Sequence, residues 1–285
     1  MIRTSILALA LLLAAGAVQA QALEGRLKSI AAAKAISIAY RADAKPFSFT
    51  DEKKEIGGFS IDICKRVVDS IAQQLKLPAL EIKWLPVTTA TRFDAVAKGR
   101  ADMECGASTV TLSRLKQVDF SSFTFVETTG LLVRTASGLR SLADMGGKTI
   151  AVVAGTTNER AVQGELKRRQ IGAKVAPFKS REEAFAALEA GKADAFASDK
   201  LLLLGASTAS KDPRALVMLP EDLSFEPYGI VLPRGDSDFR LAVNTGLSRL
   251  YASGEIAGIF RTWFGPLGEP SPVLTIMYLM GAIPE

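Results

Sequence analysis

Histidine is absent from all 285 residues. Imidazole is the side chain whose ordinary titration falls near neutral pH, so its absence removes histidine-based acid–base catalysis and histidine-dependent nucleophilic triads. Only two cysteines, Cys64 and Cys105, are present. Two thiols and carboxylates alone make a poor zinc set, so neither a metal nor a cofactor is expected. Past residue 22 no apolar run reaches the ~18 to 20 uninterrupted residues that a membrane-spanning helix needs. Charge of one sign is barely in excess: 35 Lys and Arg stand against 30 Asp and Glu, a net charge of +5. The basic residues are scattered, and the one local run, Lys167-Arg168-Arg169, reads as a solvated helix face, which argues against a nucleic-acid partner.

What is present begins with Met1-Ile2-Arg3, an apolar run from Ile6 to Val18, and Gln19-Ala20-Gln21-Ala22. A short basic start, a short apolar core and small residues after it form the pattern of a secretory signal peptide over residues 1–22, cleaved after Ala20 or Ala22. Export would put the cysteines in a compartment that permits disulfides. Cys64 sits in a helical pattern and Cys105 near the end of a strand pattern, and both a disulfide and two buried thiols remain open. An apolar content of 48% suits a globular chain, and the length suits two lobes of ordinary size better than one large one.

One unit occurs twice. Phe93 to Cys105 reads FDAVAKGRADMEC and Phe185 to Ala197 reads FAALEAGKADAFA, the same pattern shifted by 92 positions. Each copy predicts a helix that stops at a glycine able to take the left-handed conformation, then a basic residue and Ala-Asp leading into a short apolar strand. Such a helix-to-strand step belongs to an α/β layer, which binds ligands beyond the carboxyl ends of its strands. Two similar lobes facing each other would bring two such edges to one cleft.

Around this unit the pattern alternates. Ala35 to Tyr40 predicts a strand, 59–75 an amphipathic helix with Ile61, Val67, Val68, Ile71 and Leu75 on or near one face, and Leu80 to Trp84 the next strand. A second α/β run follows: a strand over Gly130 to Arg134, another over Lys148 to Val153, Gly155-Thr156-Thr157 opening a helix, then the second copy. An extended segment, Phe225 to Leu232, precedes further helices at Asp236 to Ser253 and Glu255 to Trp263. The chain is therefore expected to leave a first lobe near 128 and return near 226, giving lobe 1 from 23–127 with 228–285 and lobe 2 from 128–227. The apolar stretch Val273 to Met280 is too short to span a bilayer and is expected to strap over the first lobe.

Several short stretches carry a family resemblance: Gly58-Phe59-Ser60-Ile61-Asp62, Glu104-Cys105-Gly106 with Ser108-Thr109 and Arg114, Gly155-Thr156-Thr157, Glu226-Pro227-Tyr228-Gly229, and Gly254-Glu255-Ile256 with Trp263-Phe264. In this order they resemble the periplasmic solute-binding proteins of ABC amino-acid importers, solute-binding family 3, and are most similar to its glutamate/aspartate-binding members. The resemblance implies the two-lobe type II periplasmic-binding-protein fold, α/β in class, with a ligand cleft between lobes joined by a two-strand hinge. It also implies a periplasmic, non-enzymatic monomer that closes on an amino acid and hands it to an inner-membrane ABC permease. A rival on the same fold is a periplasmic cyclohexadienyl (prephenate/arogenate) dehydratase-like enzyme, for which Glu104 or Glu226 would have to act as acid or base.

A buried free amino acid needs a fixed cation for its carboxylate and a fixed anion for its ammonium. By resemblance, Arg114 takes the α-carboxylate with Ala107, Ser108 and Thr109 beside it, Asp199 takes the ammonium, and Thr156-Thr157 opens a helix whose free N–H groups favour the same anion. Arg41, Arg92 and Thr89 match positions that hold a distal carboxylate, and Arg181 stands where the glutamate/aspartate-binding members carry a histidine. If all four arginines face the cleft, three remain after the α-carboxylate has taken one. Glu104 and Glu226 are the acids in reach, and the surplus points to a ligand with a second carboxylate.

Overall fold

The computed structural model describes residues 23–284, so the expected signal peptide lies outside the described residues. The first part of the chain runs α1 (Gly25–Ala33), β1 (Ala35–Arg41), β2 (Asp43–Ala44), β3 (Ser48–Thr50), β4 (Ile56–Gly57), α2 (Phe59–Gln74), β5 (Glu81–Val87), α3 (Arg92–Ala97), β6 (Met103–Cys105) and β7 (Asp119–Glu127). The middle runs β8 (Thr129–Arg134), β9 (Thr149–Val153), α4 (Thr157–Arg168), β10 (Lys174–Phe178), α5 (Arg181–Glu189), β11 (Ala195–Asp199), α6 (Lys200–Thr208) and β12 (Leu216–Met218). The last part is β13 (Glu226–Leu232), α7 (Ser237–Ala252), α8 (Glu255–Phe264) and α9 (Pro272–Gly281).

Two five-stranded sheets organise the chain, in the orders β5-β1-β6-β13-β7 and β10-β9-β11-β8-β12. They share one plan. In each, a parallel trio (β5, β1, β6 or β10, β9, β11) is followed by antiparallel strands, β13 and β7 in the first sheet and β8 and β12 in the second. The chain passes from the first sheet to the second between Glu127 and Thr129 and comes back ahead of Glu226, which pairs with Glu127.

The duplicated unit is the same structure twice. Gly99 and Gly191 both take φ +71°, the left-handed conformation that ends each helix. Arg100 N–H bonds the Ala95 carbonyl at 2.8 Å, and 92 residues on Lys192 N–H bonds Ala187 at 2.9 Å. The aspartates have matching jobs: Asp102 Oδ2 accepts from Ser37 N–H at 2.7 Å, and Asp194 Oδ2 accepts from Thr149 N–H at 2.8 Å. Each thus ties the entry of its strand to the start of the neighbouring parallel strand.

Helix α2 starts without a side-chain cap because the Pro46 and Phe47 carbonyls take the Phe59 and Ser60 N–H groups, each at 2.9 Å. Gly58, at φ 131°, lets that backbone pass, since a Cβ there would run into the Phe47 carbonyl. Cys64 on α2 is joined to Cys105 at the end of β6, which closes the question the sequence left open. Between α2, β7, β13 and α8 lies an aromatic core of Phe47, Phe59, Phe125, Tyr228, Phe260 and Phe264, mostly packed edge to face or tilted. In the second sheet Leu131 and Val133 face one helical layer while Leu132 faces the other, so both faces are covered. Helix α9 lies over β7 and α7, with Leu274 and Tyr278 buried, as the expected strap. The basic run is paired on the α4 surface, Arg168 with Glu165 and Arg169 with Glu165 and Glu221.

Candidate functional site

The carboxyl ends of β1, β6, β9 and β11 point toward one region between the sheets, and the loops after them carry the polar side chains that the apolar strands cannot. Arg41, the last residue of β1, is buried, and its guanidinium grips Asp43 through Nε at 2.8 Å and Nη2 at 2.7 Å. Burial pushes the Asp43 carboxyl up, but the Arg41 charge and hydrogen bonds outweigh it and hold the group below its ordinary value. Asp43 was not weighed from the sequence, and it removes Arg41 from the surplus of free cations.

Arg92 opens α3, fully enclosed. Its Nε donates to Ser108 Oγ at 3.0 Å and its Nη1 to the Thr89 carbonyl, so both contacts are neutral and Thr89 contributes backbone rather than hydroxyl. Burial and then the Arg114 charge lower this guanidinium to about 9, which leaves it charged at neutral pH. Arg114 is buried, donates from Nη1 to the Thr109 carbonyl at 2.6 Å, and shares the Phe93 ring with Arg92, the two guanidinium carbons lying 4.8 and 4.3 Å from its centroid. Its lowered value, about 10, comes from burial and then from Arg160, a neighbour the sequence gave no sign of.

Glu104 lies among these arginines with no exposed surface, and neither carboxylate oxygen has a hydrogen-bond partner among the described residues. Burial raises its pKa against the pull of Arg92, the neighbouring Ser108 hydroxyl, Arg41 and Arg114. Gly106 is required beside it, because a Cβ there would fall on Glu104 Oε1. Ala107, between Gly106 and the fully buried Ser108, is half-buried and packs on the aromatic core.

From the second sheet comes Asp199, at the end of β11. It occupies the N-cap position of α6 yet makes no capping bond. Its oxygens instead accept from Asn158 Nδ2 at 2.7 Å and from Tyr228 OH at 2.6 Å, the latter reaching over from β13 of the first sheet. Burial and then the Glu226 charge raise Asp199 to about 6, against these two hydrogen bonds. Thr156 does cap its helix: Oγ1 accepts from Glu159 N–H at 3.1 Å and donates to the Val153 carbonyl at 2.7 Å. Thr157 faces the other sheet, its hydroxyl 3.3 Å from that of Thr109. Arg181, first residue of α5, has an enclosed Nε with no partner, and after burial the charges that act on it most are those of Arg41, Asp43 and Asp199. A cation at a helix N-terminus opposes the helix dipole, so its placement there needs an anion to offset it.

Several of the expected positions are linked to one another: Arg92 to Ser108 and Thr89, Arg114 to Thr109, and Thr109 to Thr157 of the other sheet, while the charges of Arg41 and Asp199 act on Arg181. Thr89 contributes its carbonyl and Thr156 caps its own helix. The profile of the bacterial extracellular solute-binding proteins, family 3, matches residues 36–266. The chain belongs to that family. At the level of single proteins, this binding protein is 36% identical over 249 residues to the L-glutamate/L-aspartate-binding protein of Pseudomonas aeruginosa, covering 87% of this chain and 82% of the relative. It is 31% identical over 265 residues to the glutamate/aspartate import solute-binding protein of Escherichia coli, covering 92% and 87%. Among solved structures it is similar to an ancestral amino acid-binding protein described as a precursor of cyclohexadienyl dehydratase, at 27% identity and TM-score 0.73, covering 84% of this chain and 100% of that one.

Three residues that bond the candidate site residues Arg41 and Asp199 were given no such role in the sequence. Asp43 lay two residues past Arg41 in a stretch dominated by turn signals. Asn158 directly follows Thr157, and a side chain at the first turn of a helix reads as a capping accessory. Tyr228 sat inside a recognised motif, but nothing in one-dimensional spacing says that a strand of one sheet sends its hydroxyl to the other. Among the described residues no group of histidine, cysteine, aspartate or glutamate is placed to hold a metal ion, and no helix is long and apolar enough to cross a membrane.

Proposed function

We propose that the protein is the periplasmic component of an ABC importer that closes on an acidic amino acid, glutamate or aspartate, and delivers it to an inner-membrane permease. Lobe 1 would comprise 23–127 and 228–285 and lobe 2 128–227, with residues 1–22 removed on export and the mature protein acting as a monomer. The observation that carries the acidic ligand is how the four arginines are partnered. Arg41 is matched by Asp43 and Arg92 has Glu104 beside it. With the α-carboxylate on Arg114 and the ammonium on Asp199, one guanidinium, that of the half-buried Arg181, is left with an enclosed Nε that has no partner. With the buried Glu226 included these groups carry no net surplus, so what favours a second carboxylate on the ligand is the local placement of Arg181 rather than a sum of charges. An amide would set its NH₂ donor against donors and leave that charge unmatched.

Calorimetric titration of glutamate, aspartate and glutamine tests this directly. Glutamate binds at least about tenfold tighter than glutamine, a difference of about 1.4 kcal/mol. Arg181→Ala erases that preference while amino-acid binding persists. If glutamine binds as well as glutamate to the unaltered protein, the acidic-ligand reading fails and the binding-protein family stands.

A second reading has one observation in its favour. The unpartnered, raised carboxyl of Glu104 is what a general acid looks like, and a structural neighbour is named as a precursor of a dehydratase. Loss of prephenate absorbance on incubation would support it. Saturable binding of amino acids without turnover supports transport.

A further inference from the structure

Helix α6 carries a glycine in its interior, Gly205, in the run Lys200-Leu201-Leu202-Leu203-Leu204-Gly205-Ala206. A glycine there costs α6 about 1 kcal/mol relative to alanine, and its neighbours are strong helix formers. Local helix stability therefore gives no reason for it. The reason lies across the cleft. A Cβ on Gly205 would stand well inside 3.0 Å of the Lys45 carbonyl oxygen and 3.1 Å from its carbon. Lys45 belongs to the segment between β2 and β3, beside the first sheet, whereas α6 follows β11 and packs on the second. The obstacle is main chain, which cannot rotate away as a long side chain could.

The same face of α6 is engaged one turn earlier. Leu202, three residues before Gly205, is buried in the aromatic core that holds Phe47, and Leu201 packs against that core as well. Leu202, Gly205, Ala206 and Ala209 go on to line a cavity of about 370 Å³ with Lys45 and Phe49 from the other side. Gly164 in α4 and Gly258 in α8 make the contrast: a Cβ on either meets nothing within 4 Å. Gly205 is thus a helix glycine whose crowding comes from the opposite lobe's backbone.

We infer that Gly205 is a positioning residue for closure: the missing side chain lets α6 seat on the Lys45 carbonyl when the lobes clamp, and any side chain there holds them apart. The inference rests on the proposed clamp. On this inference the crowding belongs to the closed arrangement, so a methyl group at 205 penalises closure and leaves the open lobes untouched or, through helix propensity, slightly firmer.

The test compares Gly205→Ala, Gly205→Ser and, as control, Gly164→Ala in the full mature chain. Three readouts are taken: thermal unfolding without ligand, calorimetric affinity for glutamate, aspartate, glutamine and arginine, and small-angle scattering with and without the tightest of these. Expected are unfolding temperatures at or above the unaltered protein's for both alanine variants. Affinity falls by on the order of tenfold or more for Gly205→Ala, with loss of compaction, and stays unchanged for Gly164→Ala. The serine variant follows alanine in affinity. Unchanged affinity and compaction in Gly205→Ala overturn the inference while the clamp survives. A drop in ligand-free stability matching the affinity loss also overturns it, marking Gly205 as static packing. Absence of binding and of compaction in the unaltered protein with all four amino acids removes the clamp itself.

Discussion

The two copies of the repeated unit agree in backbone and disagree in cargo. Both end a helix at a glycine with φ +71°, both anchor an aspartate to an amide near the start of the neighbouring strand, and both strands lie in the same place within sheets of the same order. At the strand ends the likeness stops. The first presents Glu104, disulfide-bonded Cys105 and Gly106, crowded by arginines, and the second presents Phe196, Ala197, Ser198 and Asp199. Residues that shape the chain are shared and the residues proposed to meet a ligand differ, which is what a clamp for an asymmetric molecule requires. A free amino acid has a positive and a negative end, so identical jaws would leave one end unmatched.

The largest effect that can test this division is on the first jaw. Arg114→Ala removes a buried guanidinium held over Phe93 and leaves an acidic ligand's carboxylate unmatched, at a cost of about 3–5 kcal/mol of affinity by calorimetry. Retention of affinity within a few-fold would take Arg114 out of the site and leave Asp199 without its counterpart.

Next in size is the staple that one lobe has and the other lacks. The Cys64–Cys105 bridge spans a separation of 41 residues. Its loss in a Cys64→Ser, Cys105→Ser double variant should cost about 2–4 kcal/mol, mostly through the unfolded chain. Hydrogen exchange locates the loss: amides of β1, β6 and α2 lose protection and those of β9, β11 and α5 keep theirs. Equal losses in both sheets would mean that the lobes unfold as one unit, and the comparison would then hold for geometry and not for stability.

The shared backbone has its own test. Asp102→Ala and Asp194→Ala each free a strand-entry amide, and each should cost about 1–3 kcal/mol in denaturant unfolding. Asp102 should be the dearer by a few tenths of a kcal/mol because Arg26 also pairs with it, at 3.2 Å in a partly exposed setting. Widely different costs would reduce the 92-residue shift to a coincidence of composition.

These pairs also explain what was legible. Glycine and aspartate in the repeat do jobs set by local backbone geometry, so their spacing could be read before any fold was known. The helices with strong apolar periodicity, 59–75 above all, were legible for the same reason. The cleft was legible only where a motif carried it. Arg41 was visible, but Asp43, which neutralises it, was hidden among turn residues. Asp43 takes one cation from the apparent surplus of three, and Glu104, already visible in the sequence, offsets another. Asp199 was visible through the motif, but that it would sit at the N-cap position of α6 without capping it was not. Its real partners, Asn158 and Tyr228, are 41 and 29 residues away, one on helix α4 beside the second sheet and the other on β13 of the first. A contact across two sheets leaves no period in the chain.

The smallest expected effect is on pH, and it separates the jaws by chemistry. Asp199 stands at about 6 when buried without a cationic partner, above the ordinary carboxylate value of 3.8. An acid raised in the folded state holds its proton longer than the unfolded chain does, so its contribution to stability is greatest at low pH and is lost as pH climbs from about 4 to 6. Binding runs the other way. An ammonium on Asp199 favours the ionised form, so affinity is full above about 6.5 and falls as pH drops through 6. At pH 5 about a tenth of the site is ionised, so affinity should be about tenfold weaker than at pH 7, or 1.4 kcal/mol. The arginines of the distal end stay charged throughout, so the ratio of glutamate to glutamine affinity should not move between about pH 6 and 8. Asp199→Asn, weak at every pH, should flatten the curve. If instead the ratio changes with pH while the absolute affinity does not, the titrating group sits with the distal carboxylate, and Glu104 rather than Asp199 governs the proton.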